Sequence, residues 1–385
     1  MAGLLGVVRA CVYLLETVIA RVAEGTALKA GGTALHSTMD SRVLPMTPHG
    51  IHRLIPDWSS LRRSSDPQQA SVMCALNYSR FGCPASGDLC PREALLNILR
   101  RAREAWHLEF FVRFEVEFLV MRSYPTTDRL VPHSRGLGHF AVSGLRDSCF
   151  RYGVVFDEVH TEGYRGQNEI ALRQLPPVQA IDQLVLVHDT LKDVFSRHGY
   201  LVTMSPKPVA SDWDVNGQHT HLSLRPARPG VEEHFLAGIL KRLSSLCAFC
   251  LPQDISYKRL QPYRAGDSVC WGTESRLVPT RKIRPSYWES RCIDATANMY
   301  SAVAAILGAG LLGLECKEPL IWPDLGPSAK TLDAALDNLD LRSSGLDTMI
   351  GRPLVDHYIE MKRYETSRMR EMDAQTVREL LVELF

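Results

Sequence analysis

The sequence predicts an α+β fold built around an antiparallel sheet. Helical patterns and strand-like stretches alternate along the 385 residues. They lack the steady strand–helix–strand rhythm of a doubly wound parallel sheet. The composition, with 45% hydrophobic and 23% charged residues, is that of an ordinary globular protein. A chain of this length accommodates one large domain or two ordinary ones.

The clearest helix is predicted to begin at Pro91, in PREALLNILRRAREAWH. Proline suits the first helical position, and Glu93 lies in the first turn, where a carboxylate is favourable. An apolar run typical of a strand, FFVRFEVEFLV, follows at 110–120, and GYLVTMSPKP and HTHLSL are further strand-like pieces. Additional helices are predicted at 178–198, 232–250, 292–315 and 353–385.

The N-terminal segment 1–50 is the least legible part of the chain. Arg9 and Glu16 interrupt the apolar pattern of the first 23 residues, which favours an amphipathic helix or a buried strand over a secretion signal. No stretch reaches the roughly 18 unbroken apolar residues that a membrane span requires. We therefore expect no membrane partner.

The charge balance and the cysteines exclude further classes of protein. Lys+Arg total 44 and Asp+Glu total 43, which argues against a broad nucleic-acid-binding surface. Ten cysteines in 385 residues are too sparse for a disulfide framework. The Cys247/Cys250 pair has no second pair to complete a zinc ribbon. These features favour buried thiols in a reducing, cytoplasmic protein.

Two pairs of polar residues stand out on predicted strands. Glu115 and Glu117 point to the same face of a strand, whereas Phe114 and Phe118 point to the other, because strand side chains alternate. Two adjacent carboxylates repel each other unless a cation lies between them. A solvated strand face is the alternative interpretation. The sequence His219-Thr-His221 repeats the same spacing with imidazoles.

Other candidate residues are scattered along the chain. Three further carboxylates belong to Glu162, Glu169 and Glu289, and a set of arginines comprises Arg259, Arg276, Arg281 and Arg291. Each feature alone is more often structural than functional. Together, five carboxylates and an imidazole suit Mg²⁺ or Mn²⁺, and arginines bind phosphate oxygens. This combination indicates phosphoryl transfer from a nucleotide, without a P-loop, because no such motif is present.

Seven ordered motifs between about Phe110 and Leu314, roughly half of the chain, resemble the glutamine synthetase superfamily: FEVEF, EGYRGQNEI, SPKP, NGQHTHLSL, SYKRLQP, ESRLVPTRKI and YWESRCIDATANMY. The sequence is most similar to the fungal and bacterial branch related to gamma-glutamylpolyamine ligases. The resemblance implies a small β-grasp-like domain at 1–105 and a catalytic domain at 106–385 with a curved antiparallel sheet and flanking helices. It also implies a ring-shaped homo-oligomer with active sites between subunits.

The resemblance implies two metal sites in one cleft. One Mg²⁺ or Mn²⁺ ion would be held by Glu117, Glu162 and Glu169, and a second by Glu115, His219 and Glu289.

It also implies residues that bind the substrates. ATP would be bound by Arg276 and Arg281 at its phosphates, and by His221, Ser223 and Lys207. Arg259 would bind the carboxylate of an amino-acid substrate, with Gln167 nearby, and Arg291 would stabilise the transferring phosphoryl group. The implied reaction activates glutamate, or a similar acid, as an acyl phosphate that ammonia or an amine then attacks.

Three departures from the family pattern bear on this prediction. The segment Arg259–Asp267 lacks the mobile glutamate that deprotonates ammonium, and Asp267 is its candidate replacement. Asp214-Val215 replace the family's Asn-Gly, and no first β-grasp strand is recognisable before residue 40. The sequence therefore favours ligation to a larger amine over ordinary glutamine synthesis. An inactive, glutamine synthetase-like scaffold is the alternative; a guanidino kinase, which also uses metal and arginines, is opposed by the seven motifs.

Overall fold

The computed structural model describes the following residues: 4–31, 36–44, 51–63, 68–78, 86–123, 130–133, 145, 147, 149, 153–211, 215–228, 230–321 and 324–385. Among them, no helix is both long enough and apolar enough to span a membrane.

A small antiparallel sheet forms the N-terminal region. Its strands are β1 (Leu28–Gly31), β2 (Ile51–Pro56) and β5 (Cys74–Tyr78), in the order β1-β2-β5. A two-stranded ribbon pairs β3 (Arg62–Arg63) with β4 (Ala70–Ser71). The strand β1 lies in the segment where the sequence offered no recognisable strand. It was missed because it is only four residues long and contains a lysine and a glycine.

The first helix, α1 (Leu15–Ala23), contains no buried residue. Its apolar side chains are largely exposed: Leu15 is 73% exposed and Ile19 59% exposed, and Val12, just before the helix, is 96% exposed. Tyr13 and Val18 pack against the small sheet. Of the two structures predicted for this segment, an amphipathic helix and a buried strand, the helix is the one observed. Most of its apolar surface, however, faces away from the described core.

The main sheet has ten strands: β6 (Glu109–Ser123), β7 (Leu130–Pro132), β8 (Phe156–Thr161), β9 (Gln167–Leu172), β10 (Leu201–Thr203), β11 (Gln218–Arg225), β12 (Ser268–Thr273), β13 (Thr280–Arg284), β14 (Tyr287–Ser290) and β15 (Asp324–Pro327). Their order is β15-β12-β13-β14-β11-β6-β9-β8, and β7 and β10 pair with the far end of β6. The β12–β13 pair is parallel, and the other pairs are antiparallel. The predicted α+β class is confirmed.

The helices that flank the sheet are α2 (Pro91–Trp106), α3 (Pro177–Ser196), α4 (Val231–Lys241), α5 (Leu243–Cys250), α6 (Met299–Glu315), α7 (Leu332–Asp340), α8 (Leu346–Ile350), α9 (Arg352–Arg370) and α10 (Ala374–Leu384). The helix α6 is buried along nearly its whole length. It packs against α2 and α4, and its small residues permit that close approach: a side chain on Gly310 would overlap the ring of Phe235.

Three predicted helices differ from the observed ones. The stretch 232–250 is broken at Arg242, whose buried guanidinium donates to Glu318 at 2.9 Å. The stretch 292–315 becomes helical only at Met299, after Asn298 caps the first turn with its side-chain oxygen. The tail divides into α9 and α10 because Asp373 caps a new helix. A buried ion pair and local caps thus set boundaries that hydrophobic periodicity alone does not show.

The long strand β6 separates the core from a polar face. Phe114, Val116 and Phe118 are fully buried on one side and belong to the main hydrophobic core. Glu115 and Glu117 alternate with them and therefore point to the opposite side. The same strand thus anchors the core and carries the first two candidate ligands.

Candidate active site

Antiparallel pairing brings side chains from β6, β9 and β11 together. The strand β6 has Glu115 opposite His219 of β11 and Glu117 opposite Glu169 of β9. Directly opposed residues on antiparallel strands share a face and lie about 5 Å apart at Cβ. Positions that are some 50 and 100 residues apart along the chain therefore meet at one place on the sheet.

The next strand adds a further carboxylate. Glu289 of β14 lies opposite His221 of β11, and its carboxylate is 1% exposed. Its Oε1 atom lies 3.4 Å from Nδ1 of His219, and Nε2 of His221 lies 3.0 Å from Oε1 of Glu115. Two groups, Glu115–Glu169–His219 and Glu115–His221–Glu289, have their ligand atoms within 4.8 Å of one another.

A third group involves a residue that sequence analysis missed. His160 of β8 directs Nε2 to Oε1 of Glu162 at 3.0 Å and to Oε1 of Glu169 at 3.6 Å. These three residues also have ligand atoms within 4.8 Å of one another. His160 and Glu162 are two positions apart, the same spacing as His219 and His221, so the signal was present in the sequence.

The crowded carboxylates strongly affect one another. Burial, together with the charges of Glu115, Glu117, Glu162 and Glu289, raises the pKa of Glu169 to about 9. Burial by itself would also raise the pKa of Glu115, but His219 and His221 outweigh it and hold that pKa far below its usual value. The cluster therefore concentrates negative charge that an added cation would relieve.

The backbone beside β11 holds Glu117 in place. The N–H of Gly217 donates to Oε2 of Glu117 at 2.7 Å, and Nε2 of Gln167 donates to the same oxygen at 3.2 Å. Gln167 also donates to the carbonyl oxygen of Val215 at 2.8 Å. Gln167 thus lies within the cluster and orients a carboxylate. Asp214, the other half of the predicted Asp-Val replacement, falls outside the described residues.

Two predicted arginines contact the cluster directly. Nε of Arg281 lies 2.8 Å from Oε2 of Glu289, and Nη1 of Arg291 lies 2.8 Å from Oε1 of the same residue. Arg259 is 2% exposed and donates to the carbonyl oxygens of Ile293 and Arg291. Burial lowers the pKa of Arg259. Arg281 and Arg291 thus place two positive charges next to the carboxylate cluster.

For four other predicted residues, the structure gives positions or contacts outside the carboxylate cluster. Arg276 is exposed in the turn between β12 and β13, and Lys207 is half-buried after β10. The hydroxyl of Ser223 accepts a hydrogen bond from Gln174 at 2.9 Å. The carboxylate of Asp267 accepts a hydrogen bond from Ser268 at 3.1 Å. Their predicted roles toward nucleotide and amine stay predictions.

Comparison with known proteins identifies the family. The family model described as glutamine synthetase, catalytic domain, matches residues 88–380. Protein fluG of Emericella nidulans is 30% identical over 388 residues, which cover 90% of this chain but only 44% of fluG. This chain therefore spans less than half the length of that relative.

Two further relatives agree with this result. The gamma-glutamylpolyamine synthetase GlnA3 of Streptomyces coelicolor is 31% identical over 320 residues, covering 75% of this chain and 68% of that protein. The crystal structure of a novel glutamine synthase homologue matches with a TM-score of 0.83 at 27% identity, covering 100% of this chain and 97% of the other. The motifs, the fold and these similarities lead to one conclusion: the chain belongs to the glutamine synthetase family.

Proposed function

We propose that this protein is an ATP- and divalent-metal-dependent ligase. It joins the side-chain carboxylate of glutamate, or of a similar acid, to ammonia or an amine. The observation that carries the proposal is the convergence of Glu115, Glu169, Glu289 and His219 within a few ångströms, beside Arg291. Membership of the glutamine synthetase family supports it.

The donor set fits Mg²⁺ or Mn²⁺. Carboxylate oxygens outnumber imidazole nitrogens, as these ions prefer. The proposed ligands are the six that the resemblance implied, with His160 as an additional candidate: Glu115, Glu117, Glu162, Glu169, His219 and Glu289. Bound metal ions would supply charge neutralisation for phosphate oxygens.

The protein's own residues account for the first chemical step. A carboxylate oxygen of the acid attacks the γ-phosphorus of ATP, the bond to the bridging oxygen breaks, and ADP leaves. In this proposal Arg281 and Arg291 stabilise negative charge on the transferring group, and the contact of both guanidinium groups with Glu289 supports that role. The buried Nε atom of Arg259 has no hydrogen-bond acceptor among the described residues, and this unpaired donor supports a role in binding the substrate's carboxylate.

The second step forms the amide. The amine nitrogen attacks the activated carbonyl carbon, the carbon–oxygen bond to phosphate breaks, and the amine loses a proton. Asp267 is the proposed acceptor of that proton, because no glutamate is present between Arg259 and Asp267. The ring-shaped assembly and the cytoplasmic location remain predictions.

Phosphate release tests the proposed activity. The purified protein is given ATP, Mg²⁺ or Mn²⁺, glutamate and a panel of amines. We expect phosphate and a new amide to appear together, and the Glu289→Ala variant to lose both. The matched control is Glu104→Ala, at an exposed position on α2, which should retain activity. Wild-type phosphate release no greater than that of Glu289→Ala would contradict the proposal.

The second candidate is a scaffold that keeps the fold without catalysis. The missing glutamate after Arg259 favours it. Thermal melting with and without Mn²⁺ plus ATP separates the two candidates, because a ligand that binds only the folded state raises the melting midpoint. A ligase should show a rise that Glu289→Ala abolishes; a scaffold without a binding site should show none.

A further inference from the structure

The loop that lacks the expected glutamate places an arginine over an aromatic ring of a second loop beside the cluster. The guanidinium carbon of Arg264 lies 4.7 Å from the centre of the Tyr164 ring. Tyr164 belongs to the loop between Glu162 and Gln167, and Arg264 follows Arg259 by five residues. The cation–π contact therefore joins two loops that both carry candidate active-site residues.

Other contacts direct this loop toward the cluster. The carbonyl oxygen of Arg264 accepts a hydrogen bond from Nε of Arg291 at 3.2 Å, and Arg291 itself contacts Glu289. Burial lowers the pKa of Arg264, and the charge of Glu117 partly opposes that effect. The half-buried side chain of Arg264 is therefore close enough to Glu117 for the two charges to interact.

The guanidinium of Arg264 is also available for binding. Among the residues that the structure describes, it forms no ion pair and donates no side-chain hydrogen bond, unlike Arg281 and Arg291. The guanidinium lies over the Tyr164 ring, and the side chain is only half-buried, so its N–H groups remain free to bind a ligand. A guanidinium binds a carboxylate through two parallel hydrogen bonds.

The charge at this position has a consequence for the amine. A carboxylate near the acceptor site attracts an ammonium group and takes its proton, whereas a guanidinium repels a cation. The segment after Arg259 offers Arg264 and the fully buried Ala265 where the family's glutamate was expected. A cationic acceptor is therefore disfavoured there, and an acceptor with a negative group is favoured.

We propose that Arg264, which lies over the Tyr164 ring beside the cluster, selects amine acceptors that carry a carboxylate over acceptors that carry an additional positive charge. This inference rests on the proposed ligase function and names the substrate class of the same site. Arg264 is a specificity-determining residue in this scheme and takes no part in the phosphoryl transfer.

The test compares three acceptors with glutamate, ATP and Mg²⁺: 4-aminobenzoate, aniline and 1,4-diaminobutane. Aniline and 4-aminobenzoate are both neutral amines at pH 7, so their comparison isolates the carboxylate. We expect wild-type kcat/KM for 4-aminobenzoate to exceed that for aniline, and that for 1,4-diaminobutane, by about tenfold or more. Arg264→Glu should reverse the preference between 4-aminobenzoate and the diamine, and Arg264→Lys, which keeps the charge but cannot form two parallel hydrogen bonds, should keep the direction of the preference with a smaller ratio.

The matched control is Arg225→Ala. Arg225 also stacks on an aromatic ring, with its guanidinium carbon 4.2 Å from the centre of Phe111, but it lies at the far end of β11. Its removal should leave the acceptor preference unchanged. A wild-type preference for the diamine, or an Arg264→Glu variant with an unchanged ratio, would overturn the inference.

A binding measurement separates failure of this inference from failure of the proposed function. If no acceptor is converted, the ligase proposal fails, and the affinity of 4-aminobenzoate is then measured by calorimetry in the presence of Mg²⁺ and ADP. Wild-type binding that weakens by tenfold or more in Arg264→Glu supports the charge selection. Equal affinities in the two proteins, or no binding to either, contradict it.

Discussion

Replacing Gly217 by alanine would test whether the cluster depends on close packing behind His219. A Cβ atom on Gly217 would lie 2.6 Å from Nη2 of Arg259 and 2.8 Å from Nε2 of His219. Two backbone carbonyl groups, of Ile293 and Arg291, hold the Arg259 guanidinium at 2.8 and 3.3 Å. The added methyl group must therefore displace both the imidazole and the guanidinium, and moving the guanidinium strains its two hydrogen bonds.

The size of the effect follows from this geometry. Ordinary contact begins near 3.4 Å, so Nε2 of His219 must move by about 0.6 Å. Overpacking of this kind costs about 1–3 kcal/mol. For a chain of this length, with an unfolding entropy of about 2 cal/mol/K per residue, that lowers the melting midpoint by about 1–4 °C. If His219 is the metal ligand that we propose, disturbing its support should lower Mn²⁺ affinity by about 10–100-fold.

Calorimetric titration with Mn²⁺ and thermal melting measure the two effects. Gly163→Ala is the matched control, because Gly163 lies beside Glu162 but a Cβ atom there would meet nothing within 4 Å. This control should bind Mn²⁺ as tightly as the wild type. A Gly217→Ala protein with wild-type Mn²⁺ affinity would refute the reasoning.

Three further predictions concern stability. Glu365→Ala leaves the buried Lys362 ammonium unpaired and should cost about 3–5 kcal/mol; an unchanged urea midpoint would contradict this. Burial lowers the pKa of His188 from 6.5 to about 4, so the unfolded state binds more protons between these values and stability should fall as the pH drops through that window. His188→Gln should flatten this dependence of the urea midpoint on pH, and an equally steep dependence would count against it. Gly310→Ala should destabilise the fold by about 1–3 kcal/mol through overlap with Phe235, and a melting midpoint equal to that of the wild type would show that the helices can separate.

The alternation of side chains made part of the site predictable. The FEVEF pattern alone indicates that Glu115 and Glu117 share a face opposite the core, and the structure has Phe114 and Phe118 fully buried. The pattern does not predict which strands pair with β6, because the pairing that brings His219 opposite Glu115 depends on long-range topology. The seven motifs supplied that information through resemblance, and the family and the fold are confirmed. The individual roles of the site residues stay predictions.

Contacts between distant loops were beyond the reach of sequence reasoning. Arg264 meets Tyr164 across a separation of one hundred residues, and neither residue belongs to a periodic pattern. The break at Arg242 has a similar cause, since its partner Glu318 lies on a segment far along the chain. Local propensity describes a residue's neighbours in sequence, whereas these side chains are fixed by neighbours in space.

The strand β6 has a practical consequence for experiments. In the middle of this fifteen-residue strand, the buried side chains of Phe114, Val116 and Phe118 alternate with the proposed ligands Glu115 and Glu117, so the two sets cannot loosen separately. A shift of the strand register by one residue would move the buried apolar side chains to the polar face and the carboxylates into the core. Titration with a paramagnetic ion such as Mn²⁺ would therefore report the integrity of the whole sheet, and loss of that signal during denaturation should coincide with loss of the interior packing.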